Sequence, residues 1–138
     1  MAMKRISNKR KLLMEAVASL RKNLIEQVGK CEICGASPSR PRNRAMPQLS
    51  RLCVHEIANG PDRAKALDKP FAVLVTCWQC NSSVVIHKGN WPQARQLAAL
   101  MASRPHDYDL TEFNSLVNPN APRRICQEEV NSWIGNTK

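Results

Sequence analysis

The sequence predicts an α+β domain in which a few strands lie between an N-terminal helix and C-terminal helices. Three observations support this fold class. Residues 8–28 repeat apolar side chains at helical spacing, residues 71–76 (FAVLVT) form a nearly continuous apolar run, and two Cys-x-x-Cys pairs flank the central region. With 138 residues the chain can bury one core, and we expect one packed domain made of three parts: 1–29, 30–90 and 91–138.

The first predicted element is a helix over residues 8–28. Ser7 or Asn8 can cap its first turn, and Gly29 provides a stop signal after its last residue. Its apolar side chains recur on one face: Leu13, Val17, Leu20, Leu24 and Val28. The basic side chains on the other faces, with Lys9, Arg10 and Lys11 among them, suit either a DNA backbone or an ordinary solvated surface.

The central part is predicted to be a loop, two strands and a helix start. Residues 31–48 are rich in turn formers and lack an apolar period, so we expect an exposed loop. Residues 49–57 and 71–76 have the apolar content of strands, and a turn with a short helical segment separates them. The second Cys-x-x-Cys pair then leads into a helix.

Three helices are predicted in the C-terminal part. Asn90 and Pro92 open the first, whose apolar face consists of Ala94, Leu97, Ala98 and Met101. Asp109 can cap the second, with Glu112 three residues later, as in a capping box. The last is predicted over 125–134. Trp78 and Trp91 are expected to pack against other side chains rather than to stack on bases.

Positive charge is concentrated in the first part of the sequence. The net charge is +10, and residues 1–54 carry twelve Lys and Arg against three Glu, while the remainder carries nine basic against eight acidic residues. This imbalance predicts contact with a polyanion, and DNA is the first candidate because phosphate neutralisation supplies most non-specific affinity. Solubility alone is the other explanation. Arginines in the loop suit phosphate contact: Arg40, Arg42 and Arg44.

The cysteines indicate a metal site rather than disulfides. The basic N-terminus is followed by no clean apolar signal region, and no segment is long or apolar enough to span a membrane. We therefore expect a cytoplasmic protein without a membrane partner, in a reducing compartment where six cysteines favour metal binding.

Two Cys-x-x-Cys pairs at this separation predict a structural zinc site with four thiolate ligands: Cys31, Cys34, Cys77 and Cys80. A redox function would fit one such pair beside a βαβ pattern better than a matched set of two. Cys53 and Cys126 have no partner at ligand spacing and are expected to be small buried side chains. The 42 residues between the pairs exceed what a compact zinc ribbon needs.

Three polar residues are candidates for chemistry. His55 and Glu56 lie in the segment between the two Cys pairs, and Asn81 directly follows the second pair. If both Cys pairs bind one ion, the strand end at His55 and the helix start at Asn81 are neighbours. Mg²⁺ prefers oxygen ligands, and a histidine can accept a proton from an attacking water near neutral pH. The alternatives are a histidine that hydrogen-bonds the hairpin loop and an Asn81 that caps the helix.

With these residues the chain resembles the His-Asn-His (HNH) endonucleases of the ββα-metal superfamily. The resemblance rests on CEIC at 31–34, VHEI at 54–57 and CWQCN at 77–81, and it covers about residues 30 to 90. Residues from Trp91 onward are more distantly similar to the tails of small HNH proteins of bacteriophages. The resemblance implies a zinc-stapled ββα-metal core, a divalent cation such as Mg²⁺ at a second site, and a bacterial or phage-infected cell.

The family pattern gives two alignments of the His-Glu dipeptide. In the family an Asp-His or His-His pair precedes an Ile, the first residue binding the metal and the second acting as general base. Aligned on Ile57, His55 would be a metal ligand and Glu56 the base. Shifted by one residue, His55 would be the base. The final metal ligand of the family falls on Asn81, with His87 as a looser alternative.

The sequence also departs from the family pattern. The middle Asn has no counterpart in residues 66–76; Asp68 is the nearest polar substitute, and Asn59 is nearer the first motif. Val84 replaces a Lys that often follows the final Asn. The resemblance implies metal-dependent hydrolysis of DNA phosphodiester bonds. The alternatives are a zinc-dependent DNA-binding protein without catalysis and a zinc-organised adaptor for another protein.

Overall fold

The structure, a computed structural model, describes residues 8–58, 63–82, 90–120, 122 and 124–134. It confirms the predicted α+β class, since helices surround a sheet of two strands. Three 3-10 helices, Pro47–Ser50, Arg63–Ala66 and Pro70–Ala72, join the elements. In chain order the α-helices and strands are α1 (Asn8–Val28), β1 (Leu52–Glu56), β2 (Val73–Cys77), α2 (Trp78–Ser82), α3 (Gln93–Ser103), α4 (Leu110–Val117) and α5 (Gln127–Ile134).

Helix α1 has the predicted bounds. Gly29 ends it in the left-handed region at φ 68°, where glycine pays no steric cost, and its N–H donates to the Ile25 carbonyl oxygen at 2.9 Å. Within the apolar face Leu24 is buried, and the residues nearer the N-terminus are more exposed. The proposed cap Ser7 lies outside the described residues.

The two strands form an antiparallel pair that is shorter than the predicted runs. Pro47 starts a 3-10 helix that takes up Leu49, and Pro70 starts another that takes up Phe71. Proline sets the φ angle that such a first turn requires, which explains why both strands begin late. His55 lies opposite Leu74 and Glu56 lies opposite Val73.

The hairpin is the middle layer of the fold. On one face Val73 and Val75 pack with Leu24 of α1. On the other face Leu74 joins the main core, together with side chains of α3 and α4 such as Leu97 and Phe113. Because successive side chains of a strand point to opposite faces, His55 and Glu56 face different layers.

The C-terminal helices follow the predicted pattern. In α3, Ala94, Leu97 and Ala98 are buried, and α3 packs against α5. Helix α4 is capped as expected, because the Asp109 carboxylate accepts a hydrogen bond from the Glu112 N–H at 3.0 Å. Helix α5 begins at Gln127, two residues later than predicted.

A buried arginine ties the C-terminal part to the first Cys pair. Arg104 follows α3, and only 4% of it is exposed. Its Nε lies 3.0 Å from Glu32 Oε2 and its Nη2 lies 3.1 Å from Glu32 Oε1. The guanidinium also donates to Asp107 at 2.9 Å and to the Val73 carbonyl oxygen at 2.6 Å. The Arg104 side chain thus joins three parts of the chain: the loop that follows α1 and carries Cys31 and Cys34 (the first Cys loop), β2, and the segment after α3.

No helix in the described ranges combines the length and the apolarity needed to cross a membrane. The family-derived alternatives Asn59 and His87, and the departure at Val84, lie outside the described residues.

Candidate metal centre and histidine site

The four cysteines of the two pairs meet in one cluster, which we call the four-thiol cluster. Cys31 and Cys34 lie in the loop after α1, Cys77 ends β2, and Cys80 lies in α2. Gly35, at φ 79°, closes the first turn, and its N–H donates to the Cys31 carbonyl oxygen at 2.9 Å. Each pair is local in sequence, and the end of β2 brings the second pair to the first.

The geometry of the four-thiol cluster fits a tetrahedral metal ion. All four Sγ atoms lie within 4.8 Å of one another, and the Cys34 and Cys77 sulfurs are 3.7 Å apart. A tetrahedron with metal–sulfur bonds of about 2.3 Å has sulfur–sulfur edges of about 3.8 Å. Cys31, Cys77 and Cys80 are buried, whereas Cys34 is exposed. The cluster can therefore hold a structural metal ion such as zinc.

Hydrogen-bond donors surround the sulfurs. The N–H groups of Ile33 and Cys34 point at Cys31 Sγ at 3.4 and 3.5 Å, and the N–H of Cys80 points at Cys77 Sγ at 3.4 Å. The Arg42 guanidinium lies 3.9 Å from Cys80 Sγ. Such donors offset the negative charge that four thiolates bring to a divalent ion.

The thiols do not ionise independently without a metal. The hydrogen bond from Cys80 lowers the pKa of Cys31 to about 5, and the same contact raises the pKa of Cys80. Burial raises the pKa of Cys34 to about 11. A cation that binds all four sulfurs must therefore displace protons, which couples metal affinity to pH.

A second polar cluster, the histidine site, lies on the α3 face of the hairpin and consists of His55, Asn81 and Gln96. His55 Nδ1 is 3.1 Å from Asn81 Oδ1, and its Nε2 is 2.8 Å from Gln96 Oε1. The ring is half-buried and Gln96 is buried. The structure thus brings His55 and Asn81 together, one residue from the ligand position Cys80.

Glu56 does not join the histidine site. It points to the α1 face, where its Oε1 lies 3.0 Å from Arg21 Nη2. The alternation of strand side chains explains this separation, and period 2 could have predicted it from the sequence. β1 places His55 and Glu56 on opposite faces of the hairpin, so the two side chains are not arranged to act on one cation as ligand and base.

Sequence reasoning missed Gln96, Glu32 and Arg104. Gln96 lies among alanines and leucines of an amphipathic helix, and a buried glutamine at such a position must find hydrogen-bond partners. That signal could have drawn attention to it. The Glu32–Arg104 pair joins residues 72 positions apart, so no local sequence pattern predicts it.

The residues predicted to bind DNA are exposed. Those on α1 lie in its first turn, and those in the loop follow the first Cys pair; they are Lys9, Arg10, Lys11, Arg40, Arg42 and Arg44. Arg42 differs from its neighbours because its guanidinium also reaches Cys80, and its backbone N–H donates to the Ser50 hydroxyl at 3.0 Å.

The two remaining cysteines differ from each other. Cys53 is half-buried, and its thiol donates to the Thr76 carbonyl oxygen at 3.4 Å. The prediction of a buried side chain is wrong for Cys126, which is exposed and lies 3.4 Å from Glu129 Oε1 just before α5. Trp91 packs against the core as expected, but Trp78 is 46% exposed.

Comparison with known proteins gave no relative: no family model, curated protein or solved structure matches the chain significantly.

Proposed function

We propose that the chain is a metal-dependent DNA endonuclease of the HNH type, built on a zinc-stapled ββα-metal core. The observation that carries the proposal is the 3.1 Å contact between His55 Nδ1 and Asn81 Oδ1 beside the four-thiol cluster. A hairpin that supplies the histidine and a following helix that supplies the asparagine match what the sequence resemblance implies.

The proposal assigns His55 as the general base and Asn81 as an oxygen ligand. Glu56 is held on the opposite face by Arg21, so His55 is the member of the dipeptide that can act next to Asn81. This supports the alignment that is shifted by one residue over the alignment on Ile57. An imidazole nitrogen can take the proton of an attacking water while the phosphodiester is hydrolysed.

The second site would bind its cation with few protein atoms. Asn81 offers one oxygen, and water and phosphate oxygens would complete the shell, as is common for Mg²⁺. When bound, the cation would stabilise the charge on the phosphate and on the leaving oxygen. The basic side chains of α1 and of the first Cys loop would hold the DNA backbone.

Nicking of supercoiled plasmid by the zinc-loaded chain in Mg²⁺ or Mn²⁺ tests the proposal. A general base contributes about 10²–10⁴-fold to the rate, so His55→Ala should lose at least about 100-fold. His106→Ala is the matched control, because the His106 side chain is 75% exposed and far from Asn81 in sequence. Equal rates in both variants, or no nicking by the unmodified chain, would refute the nuclease.

A zinc-dependent DNA-binding protein without catalysis is the second candidate. It is favoured by one observation: both ring nitrogens of His55 already face amide oxygens. A base or a ligand must present a lone pair, and the contacts here also suit a histidine with a purely structural role. This candidate predicts DNA binding that weakens steeply with salt and is unaffected by His55→Ala.

A further inference from the structure

Trp78 is the most exposed of the three tryptophans. It is the first residue of α2, and 46% of it is exposed. Trp91 and Trp133 pack against the main core, and the Arg95 guanidinium lies 3.9 and 5.2 Å from their ring centroids. A single apolar side chain at a surface is ordinary, so only its position in the fold can indicate a role.

Trp78 lies beside Arg51 at the end of the hairpin where α2 begins. The backbone N–H of Trp78 donates to the Arg51 carbonyl oxygen at 2.8 Å, next to the Leu52–Cys77 pair of the sheet. The two residues thus continue the antiparallel pairing by one step, and facing residues in such a pair have Cβ atoms about 5 Å apart. Arg51 is exposed as well, so an indole and a guanidinium are neighbours at this surface.

The same end of the hairpin adjoins the histidine site. The backbone of Arg51 is extended, with φ −60° and ψ 134°, so Arg51, Cys53 and His55 alternate onto one face. On α2, Trp78 and Asn81 are three residues apart, a spacing at which helical side chains are neighbours with Cβ atoms about 5–6 Å apart. Asn81 Nδ2 donates to Cys53 Sγ at 3.4 Å, which holds Asn81 on this face of the hairpin. Trp78 and Arg51 therefore border the histidine site.

We propose that Trp78 and Arg51 bind an unpaired nucleotide of DNA beside the histidine site: the indole stacks on the base and the guanidinium contacts a phosphate. The inference rests on the proposed function for the identity of the polymer and for the position of the cut. Proteins that bind single strands combine aromatic side chains, on which bases stack, with basic groups that follow the backbone. Trp78 binds the substrate in this arrangement and takes no part in the hydrolysis.

The stacking surface selects the form of the DNA. In an intact duplex the neighbouring base pairs cover both faces of every internal base, so an indole at the protein surface finds no open face. A base in a gap, a bulge or a flap can turn out of the stack and expose one. The expected substrate is therefore DNA with an unpaired nucleotide next to the cut phosphate. Every base has a π-face, so this contact should confer little sequence preference.

Binding of fluorescently labelled DNA to the zinc-loaded full chain, without Mg²⁺ or Mn²⁺ so that no cleavage occurs, tests the site. The probes are a single strand of mixed sequence and the duplex of the same sequence. Loss of one stacked base costs about 5- to 150-fold in affinity, so Trp78→Ala should weaken single-strand binding by that factor. Its affinity for the duplex should change far less. Trp78→Phe keeps an aromatic ring and should retain most of the single-strand affinity.

Ile134→Ala is the matched control, because Ile134 is 45% exposed and belongs to α5, which packs against α3; it should leave both affinities unchanged. Arg51→Met should weaken both probes alike and reduce the slope of log affinity against log salt concentration by about one, because a phosphate contact reads no base. Stacking also quenches indole emission. The single strand should therefore quench the fluorescence of the unmodified chain and leave that of Trp78→Phe nearly unchanged. Zinc content and circular dichroism establish that each variant is folded.

Equal single-strand affinity of Trp78→Ala and the unmodified chain would overturn the proposal, and so would an equal loss on both probes. Plasmid nicking separates this result from the proposed function. If Trp78→Ala loses single-strand affinity but the unmodified chain does not nick, the nuclease fails while the nucleotide site stands. If the unmodified chain nicks DNA but Trp78→Ala binds the single strand normally, the site fails and the nuclease stands. An unmodified chain that binds neither probe would refute both.

Discussion

The four-thiol cluster and the histidine site each take one residue from α2, Cys80 and Asn81, but they differ in burial and in the number of ligand atoms. In the four-thiol cluster all four sulfurs lie within 4.8 Å of one another, and three of the four cysteines are buried. Backbone N–H groups point at the sulfurs of Cys31 and Cys77. The histidine site has one ring and two amides, and the ring is half-buried. A closed set of ligands is typical of a structural ion, whereas an accessible polar group suits a substrate. The fold should therefore depend on the thiols and tolerate changes at the histidine.

The largest effect is expected from Cys80→Ser. Zinc binding to structural sites contributes about 10–16 kcal/mol in apparent free energy, and it is coupled to folding. Loss of one ligand should abolish stoichiometric zinc in metal analysis and the cooperative thermal transition in circular dichroism. Cys126→Ser is the control, because that thiol is exposed and lies outside the cluster, and it should keep both. If Cys80→Ser kept both its zinc and its cooperative transition, the four-thiol cluster would not be needed for the stability of the domain.

Arg104→Met should produce the next largest effect. It leaves the Glu32 carboxylate, whose side chain is fully buried, without its cation. Breaking a buried pair in this way costs about 3–5 kcal/mol in the free energy of unfolding. Urea unfolding of the zinc-loaded chain measures the loss, and Arg51→Met, at an exposed position, should change it little. A double variant that also carries Glu32→Gln should recover part of the stability. Equal stability of Arg104→Met and the unmodified chain would contradict this role.

Zinc affinity should rise with pH. Cys34 has a pKa of about 11, and the pKa of Cys80 is also raised, so both thiols are protonated near neutral pH in the metal-free chain. Cys31, at about 5, is already ionised there. Zinc must displace at least the protons of Cys34 and Cys80, so affinity should increase by at least about 100-fold per pH unit between pH 6 and 8.

Competition with a chromophoric chelator across that pH range measures the slope. Calorimetry in buffers of different ionisation enthalpy counts the released protons independently. An affinity that does not change with pH would mean that the thiols are ionised before zinc arrives. Cys53 lies outside the cluster, and Cys53→Ala should leave the slope unchanged.

The smallest effect is expected from Glu56→Gln. The Arg21–Glu56 pair is partly exposed, with 40% of the arginine side chain and 23% of the glutamate side chain accessible, so its loss should cost only about 0–1 kcal/mol. Because Glu56 faces α1, nicking should be retained, in contrast to His55→Ala. A loss of nicking in Glu56→Gln with unchanged stability would restore the alignment on Ile57, in which Glu56 is the base.

Local patterns predicted the features that depend on neighbouring residues. The bounds of α1, the Asp109 cap and each Cys-x-x-Cys pair follow from spacing within a few residues. The strands were predicted too long because Pro47 and Pro70 start 3-10 helices inside the apolar runs. The contacts of Gln96 with His55 and of Arg104 with Glu32 join distant elements, and only the packing of α3 against the hairpin creates them.

The Glu32–Arg104 contact also has a consequence for synthesis on the ribosome. The two residues are 72 positions apart, so at about 5–20 residues per second the nascent chain displays Glu32 for several seconds before Arg104 exists. All four thiols emerge before Arg104 does. The four thiols can therefore bind a metal ion such as zinc first, and Arg104 would then pair with Glu32 in a loop that the ion has ordered. In a cell short of zinc we therefore expect the C-terminal helices to emerge before the first Cys pair is ordered.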